Sequence, residues 1–361
     1  EASDQAKELT YERIRTRVVN GTAMTFAFYV SMGLVLLVGG QKTLAGEITV
    51  GRLTEFLAYM TVLQMPVRQL GLLVNSIARA TTSGERLFTV LDEEPDIRDK
   101  PDATPLEVSD AVLRFNDVGF AYQLGGERVP VLSNVTFEAR RGQTVGIVGP
   151  PGAGKSTIAH LIPRFYDVSE GSITIDGQDV RDVTLKSLRS QVTVIQQDIF
   201  LFTAGIENNV AYGDPWADRD RIINATNTAQ LHSYVRGLPR DYQTLVGERG
   251  VSLSGGQRQR LVIARALVMQ PSIIVFDDST AAIDAATEQR ILSSLQEHST
   301  DSVAVIISHR LSSLMHANEI LFIDDGRVVE RGDHESLLAQ GGRYAALYEL
   351  QSNPVDESLL H

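Results

Sequence analysis

There is no cysteine in this sequence, so disulfides, thiol chemistry and Cys-ligated zinc or iron–sulfur sites are excluded together. An excess of positive charge is also lacking: 33 Lys and Arg stand against 45 Asp and Glu, a formal charge of -12. So acidic a chain has no overall basic field to draw it onto a phosphate backbone, which argues against nucleic acid as a partner. Internal repeats and low-complexity tracts are missing. So is any basic, then apolar, then small-residue pattern of a secretory signal at the start. The chain opens at Glu1 without an initiator Met and is expected to be part of a longer polypeptide. What is present is ordinary for folded protein: 361 residues, 43% hydrophobic and 22% charged, enough for roughly two domains.

One run stands out. Residues 21–40 (GTAMTFAFYVSMGLVLLVGG) carry no charge, and at about 1.5 Å per helical residue they reach about 30 Å, one hydrocarbon core. The competing reading is a buried helix of a soluble protein, which at that length usually keeps a polar side. Arg13, Arg15 and Arg17 precede the run, against Lys42 and Glu47 beyond it, so the amino-terminal end is expected in the cytoplasm. Residues 53–78 read as the return span, interrupted by Glu55, Gln64, Arg68 and Asn75 and expected to bend at Pro66. Thr61, Gln64, Arg68, Gly71 and Asn75 fall on one helical face, which either lines a transport route or packs on sibling helices. Two spans would leave everything after residue 80 cytoplasmic. A polar, proline-containing stretch at 91–110 reads as a linker.

From residue 111 strand-like runs (VTFEA, TVGIVG, ITID, VTVI, IIVFD, VAVIIS, EILFI) alternate with longer amphipathic stretches, the pattern of an α/β domain. The run 144–148 leads into GPPGAGKST, which fits G-x-x-x-x-G-K-[ST] with Gly149, Gly154, Lys155 and Ser156. Glycines let the backbone wrap a phosphate, and successive N–H groups and the positive end of the next helix point at it. Lys155 reaches the terminal phosphates, and Ser156 offers a hydroxyl to Mg2+. Gly149, Gly152, Ala153, Gly154, Lys155, Ser156 and Thr157 are therefore candidate nucleotide-binding residues. Pro150 and Pro151 have no N–H, so cradle donors must come from Gly152 onward, and Pro163 should shorten or bend the following helix. Such a site also needs a carboxylate at the end of a buried strand to hold the metal. IIVFD supplies Asp277, with Asp278 next, although a strand meeting a solvated turn would look the same. At 253–257 LSGGQ opens another long helix, where Ser254, Gly255, Gly256 and Gln257 form either a second anion-binding helix start or an ordinary cap on Ser254.

GPPGAGKST, LSGGQ and IIVFD, in this order and spacing, resemble the Walker A, signature and Walker B motifs of the nucleotide-binding domain of ATP-binding-cassette (ABC) transporters. The resemblance implies ATP and Mg2+ as cofactors and assigns further positions. Tyr122 in VGFAY matches the aromatic residue that stacks on adenine. Gln197 in VIQQDIFLF, rather than Gln196, matches the glutamine that contacts the metal and senses the membrane domain, which makes Ser156, Gln197 and Asp277 the implied metal ligands. Glu248 and Arg249 in VGERG resemble the exporter loop before the signature. Asp284 in STAAID resembles the D-loop acid, and His309 in ISHRLS the switch histidine at the γ-phosphate. LAGEITVGRLTEFLAYM and ARATTSGERLFTVLDEEP resemble the last span and exit helix of an exporter half-transporter. The implied fold is an α-helical transmembrane segment pair (1–90), the linker 91–110, an α/β P-loop NTPase (ABC ATPase) domain with an inserted helical subdomain (111–351), and a tail (352–361).

In that family two nucleotide-binding domains dimerise head to tail, each ATP lying between one partner's Walker motifs and the other's signature. The implied role is a subunit of an integral membrane transporter of the plasma or inner membrane, exporting a lipid, peptide, drug or siderophore. One position departs from the family. The general base after the Walker B aspartate is usually Glu, and here it is Asp278, one methylene shorter. Its carboxylate would sit back by roughly 1 Å, a displacement that can cost about a hundredfold in rate. That resembles the degenerate site of heterodimeric exporters, with Asp278, His309 and Gln197 as the implied catalytic set. A slow homodimer, a regulatory subunit without turnover and a soluble ABC ATPase are the other readings.

Overall fold

The computed structural model describes residues 2–247, 253–279, 283–298 and 302–352. The chain divides into two compact units, Glu1–Glu94 and Pro95–His361.

The first unit is a helix pair, α1 (Ala2–Leu44) and α2 (Val50–Leu91). Both run beyond the spans read from hydropathy. At Gly39 the helices approach closely: a Cβ there would lie 2.4 Å from Leu53 Cδ1. Thr49 caps α2, its side chain accepting from the Arg52 N–H. Among the described residues one helical stretch, Thr10–Leu44, is apolar and long enough to cross a membrane by length and composition, with a mean hydropathy of 1.8. None of its apolar window is buried, and Phe26, Tyr29, Leu34 and Leu37 face outward, unlike the core helix of a soluble protein. Helix α2 continues without a break through Pro66. Of its polar stripe, Thr61 donates its hydroxyl to the Leu57 carbonyl of its own helix, and the side chains of Arg68 and Asn75 lie outside the described residues.

The second unit is built on two sheets. The antiparallel one has the order β2-β1-β4-β5, from β1 (Leu113–Leu124), β2 (Glu127–Ala139), β4 (Glu170–Ile175) and β5 (Gln178–Asp179). The other has the order β10-β9-β3-β8-β7-β6, from β3 (Thr144–Val148), β6 (Val192–Ile195), β7 (Ile273–Asp277), β8 (Val303–Ile307), β9 (Glu319–Asp324) and β10 (Arg327–Gly332). Strands β9, β3, β8, β7 and β6 run parallel, and β10 closes the edge antiparallel to β9. Strands β3 and β7 are buried at every position, which explains their continuous apolar runs: both faces of a parallel sheet are covered. Along β7, Ile273 and Val275 point into a core shared with the antiparallel sheet and α3 (Lys155–Leu161). Ile274 and Phe276 point into a second core with α5 (Ile206–Val210), α6 (Arg219–Thr228), α7 (His232–Arg236) and α8 (Gly255–Leu267). These four helices are inserted between the neighbouring strands β6 and β7, as expected of an α/β ABC ATPase fold with a helical subdomain. Helices α4 (Leu185–Gln191), α9 (Ala285–His298), α10 (His334–Gln340) and α11 (Arg343–Ser352) complete the described α-helices.

Helix α3 ends near Pro163. Arg164 adopts a left-handed φ of 54°, its N–H donates to Leu161 O and that of Phe165 to His160 O, the bonding of a Schellman cap. Part of the stretch 91–110 packs with the second unit: Thr104 bridges Val183 and Leu106 is buried. Asp176 ties down its end, its carboxylate accepting the N–H groups of Ser109, Asp110, Ala111 and Val112 at 2.7, 3.0, 3.3 and 2.6 Å. Burial opposes ionisation of this group, but the four amides outweigh it and hold the carboxyl below the usual carboxylate range. Asp176→Ala is expected to cost about 2 kcal/mol, read as a fall in Tm of about 4 °C. Because the folded pKa is depressed, this contribution is complete above the unfolded value of about 4 and is lost as pH falls through the folded one. Mutant and wild type should converge in stability at acid pH.

Candidate functional site

Parallel strands end on one edge of the sheet, where α/β proteins place their ligands. Here β3 runs into Gly149, β6 is followed by Gln197, β7 ends in Asp277 and β8 is followed by His309. Most of the residues singled out from separate motifs are thus brought to one edge by the strand order.

The loop 149–154 is shaped by its glycines. Gly149 has φ 155°, and a Cβ there would stand 2.0 Å from the carbonyl oxygen of Ile323 on β9. Gly154 caps α3 at φ 98°, with Leu132 Cδ2 2.6 Å from where its Cβ would be. Neither site accepts a side chain, so the backbone itself forms the cradle. Gly149→Ala is expected to weaken nucleotide binding about tenfold or more, since strain of this kind costs on the order of 1–3 kcal/mol. Binding of a fluorescent ATP analogue measures it. Ala153 is buried under the loop, its N–H donating to the Pro150 carbonyl. Lys155 Nζ donates to the carbonyls of Gly149 and Pro150 at 3.0 and 2.9 Å. Burial pulls its ammonium below the usual lysine range, with the Asp278 and Asp277 carboxylates opposing.

Ser156 Oγ donates to Asp277 Oδ1 at 3.0 Å, joining the start of α3 to the end of β7. Asp277 is 7% exposed. Its burial raises the carboxyl pKa, against the Ser156 hydrogen bond, so a cation beside it would be strongly favoured. Among the described residues no group of three or more His, Asp or Glu is arranged to hold a metal. Two hard oxygen donors at a phosphate cradle fit Mg2+, which takes one or two protein ligands and completes its shell with phosphate and water. Gln197 is exposed two residues beyond β6.

Asp278 has a left-handed φ of 45°, and its N–H continues the ladder to Ile307 O. Its Oδ1 accepts from the backbone N–H of His309 at 3.1 Å and lies 2.8 Å from His309 Nδ1. Opposite a carboxylate, Nδ1 carries the proton and Nε2 is left as the free ring nitrogen. Gln351 on α11 holds the same loop from the other side. Its amide donates to His309 O at 2.7 Å and accepts from Leu311 N–H at 3.0 Å. The sequence carried no signal for that residue.

Tyr122, on β1, is half-buried, with its hydroxyl 3.3 Å from Thr157 Oγ1 at the start of α3. The edges of Phe120 and Tyr166 meet it at 88°, with centroids 4.8 and 5.2 Å away, so three contacts fix its ring beside the phosphate loop. The signature residues cap α8. Ser254 Oγ accepts from Gln257 N–H at 3.2 Å and Gln257 Oε1 accepts from Ser254 N–H at 2.9 Å, a complete capping box. Gly255 and Gly256 form the first helical turn, whose N–H groups have no intrahelical partner. Asp284 likewise caps α9, accepting from Thr287 N–H at 2.9 Å. Glu248 and Arg249 lie outside the described residues.

Residues 132–281 match the family model described as ABC transporter. An uncharacterized ABC transporter ATP-binding protein, YknU, of Bacillus subtilis is 41% identical over 321 residues, covering 89% of this chain and 54% of the relative. The ATP-dependent lipid A-core flippase of Desulfotalea psychrophila is 37% identical, covering 95% of this chain and 59% of that protein. The structure of a bacterial Atm1-family ABC exporter with ATP bound superposes with a TM-score of 0.81 at 37% identity, covering 92% of this chain and 58% of that one. The chain therefore spans a little over half the length of these relatives. Phosphate loop, buried strand-end carboxylate, LSGGQ helix start and these matches together show an ABC transporter domain over residues 132–281 of this chain.

Proposed function

We propose that this chain is part of one subunit of a membrane exporter, in which ATP binding closes two nucleotide-binding domains and hydrolysis releases them. The observation that carries this is the joined Lys155 loop, Ser156–Asp277 pair and Asp278–His309 pair on one sheet edge. The backbone from Gly152 to Ser156 and the Lys155 ammonium bind the phosphates, and Tyr122 orients the base. Ser156 and Asp277, with Gln197 beside them, would hold Mg2+. When bound, Mg2+ neutralises charge on the phosphate oxygens. His309 would donate to the terminal phosphate from Nε2 when that nitrogen also carries a proton, since phosphate oxygens only accept.

Asp278 sets the rate. A base must reach the attacking water, and this carboxylate is one methylene short with one oxygen already meeting His309. The site built on Lys155 and Asp278 mainly holds ATP, while Ser254, Gly255, Gly256 and Gln257 complete a competent site on a different partner subunit, with Asp284 at the junction. Helix α1 lies in the bilayer and the ATP site faces the cytoplasm. A second reading is favoured by the intact Asp278–His309 pair: a homodimer in which Asp278 is a slow base.

The test is ATP binding and turnover by the purified full-length subunit, alone and mixed with a partner carrying Glu after its Walker B aspartate. Magnesium-dependent binding with near-background turnover alone, and turnover on mixing, is the expected result. Brisk turnover by the subunit alone overturns the degenerate site in favour of the homodimer. Failure to bind ATP overturns both.

A further inference from the structure

His309 is pinned from two directions. Its N–H and its ring meet Asp278, and the two peptide groups beyond it meet Gln351, through His309 O and Leu311 N–H. The side-chain amide of Gln351 donates and accepts at once, as a paired strand backbone would. A carboxamide carries its donor and acceptor side by side on one planar uncharged group, which suits it to two neighbouring peptide groups. The helix that carries it is itself anchored. Glu330 on β10 accepts the free N–H groups of Arg343 and Tyr344 at its start. Tyr344 is fully buried, with its hydroxyl 2.8 Å from His334 Nδ1. The two bonds of Gln351 therefore transmit a fixed position rather than a floppy one. They land 42 and 40 residues away in sequence, on the loop that aims the histidine.

We propose that Gln351 is a positioning residue for ATP hydrolysis: by bonding the backbone on both sides of Arg310 it holds the His309 imidazole and amide on the carboxylate at position 278. This rests on the reading of Asp278 and His309 as reacting groups given above. Without Gln351 the loop loses two of its fixed points, the imidazole swings off the carboxylate, and the chemical step slows while ATP binding through Lys155 and Ser156 continues.

The test uses the full-length transporter and two readouts. The first, residue-resolved hydrogen exchange without nucleotide, is independent of any turnover. Gln351→Ala should speed exchange about tenfold both at Leu311, which loses its acceptor, and at His309, whose acceptor is Asp278, with β3 unchanged. A change at Leu311 alone means Gln351 merely anchors its own helix and overturns the proposal. The second is kinetic, in the Asp278→Glu background. Gln351→Ala should lower kcat about tenfold with KM for ATP within about twofold, and Gln351→Glu, which keeps the acceptor and loses the donor, should fall between. Adding His309→Ala should cost clearly less with Gln351→Ala than without it, because both remove the same contact. Losses that multiply overturn the proposal. If the Asp278→Glu protein does not hydrolyse ATP at all, the catalytic reading fails, and the exchange data still decide whether Gln351 positions His309.

Discussion

Asp278→Glu is expected to raise ATP turnover at this site about a hundredfold, the inverse of what a displacement of about 1 Å costs a positioned base. That corresponds to about 2.7 kcal/mol of barrier. The restored methylene moves the carboxylate toward the water position, and His309 stays within reach because its loop is held independently by Gln351. Phosphate release should be read in a complex whose partner site has been silenced, so that only this site contributes. His309→Ala in the same background should remove most of the gain. Turnover unchanged by Asp278→Glu would mean that the left-handed backbone at position 278, φ 45°, directs the longer side chain away from the phosphate, and the account of the degenerate site would fall.

Lys155→Ala is expected to abolish tight ATP binding, raising Kd about a hundredfold. One ammonium meeting two phosphate groups contributes about 2.7 kcal/mol through charge-assisted hydrogen bonds. The cost to the fold should be small. Lys155 is partly buried, burial already disfavours its charged form, and its bonds in this structure go to two loop carbonyls, Gly149 O and Pro150 O. A thermal scan separates the effects: without nucleotide wild type and mutant should unfold together, and with ATP and Mg2+ only wild type should be stabilised. A mutant still stabilised by ATP would show that the backbone cradle carries the affinity and that Lys155 acts in the reaction alone.

Much of the site could be read from residue order because its parts are local. Gly149, Gly154, Lys155 and Ser156 lie on one continuous loop and helix start, and a phosphate cradle needs nothing more distant than that. The strands β3 and β7 were visible as uninterrupted apolar runs because both faces are buried. The hydrophobic run 21–40 likewise marked α1, though its ends did not, since a helix continues into polar sequence at no cost visible in hydropathy. Reading Ser254 as a helix cap or as an anion site could not be settled by spacing: the capping box satisfies its side chain, and the N–H groups of the same turn are still unspent within the helix.

The sequence by itself determined the chemistry on offer: a phosphate-loop motif, two carboxylates at the end of a buried strand, an LSGGQ helix start and one apolar span. Tertiary structure alone decided which of these meet. Ser156 reaches Asp277 across 121 positions, Asp278 reaches His309 across 31 and Gln351 reaches His309 across 42. The physical reason is the order of the sheet. Placing β3 beside β8, and β8 beside β7, brings their carboxyl ends to one edge. Strand order is set by the burial of two separate cores on the two faces of that sheet. Such burial depends on every strand at once, and no local window of sequence contains it.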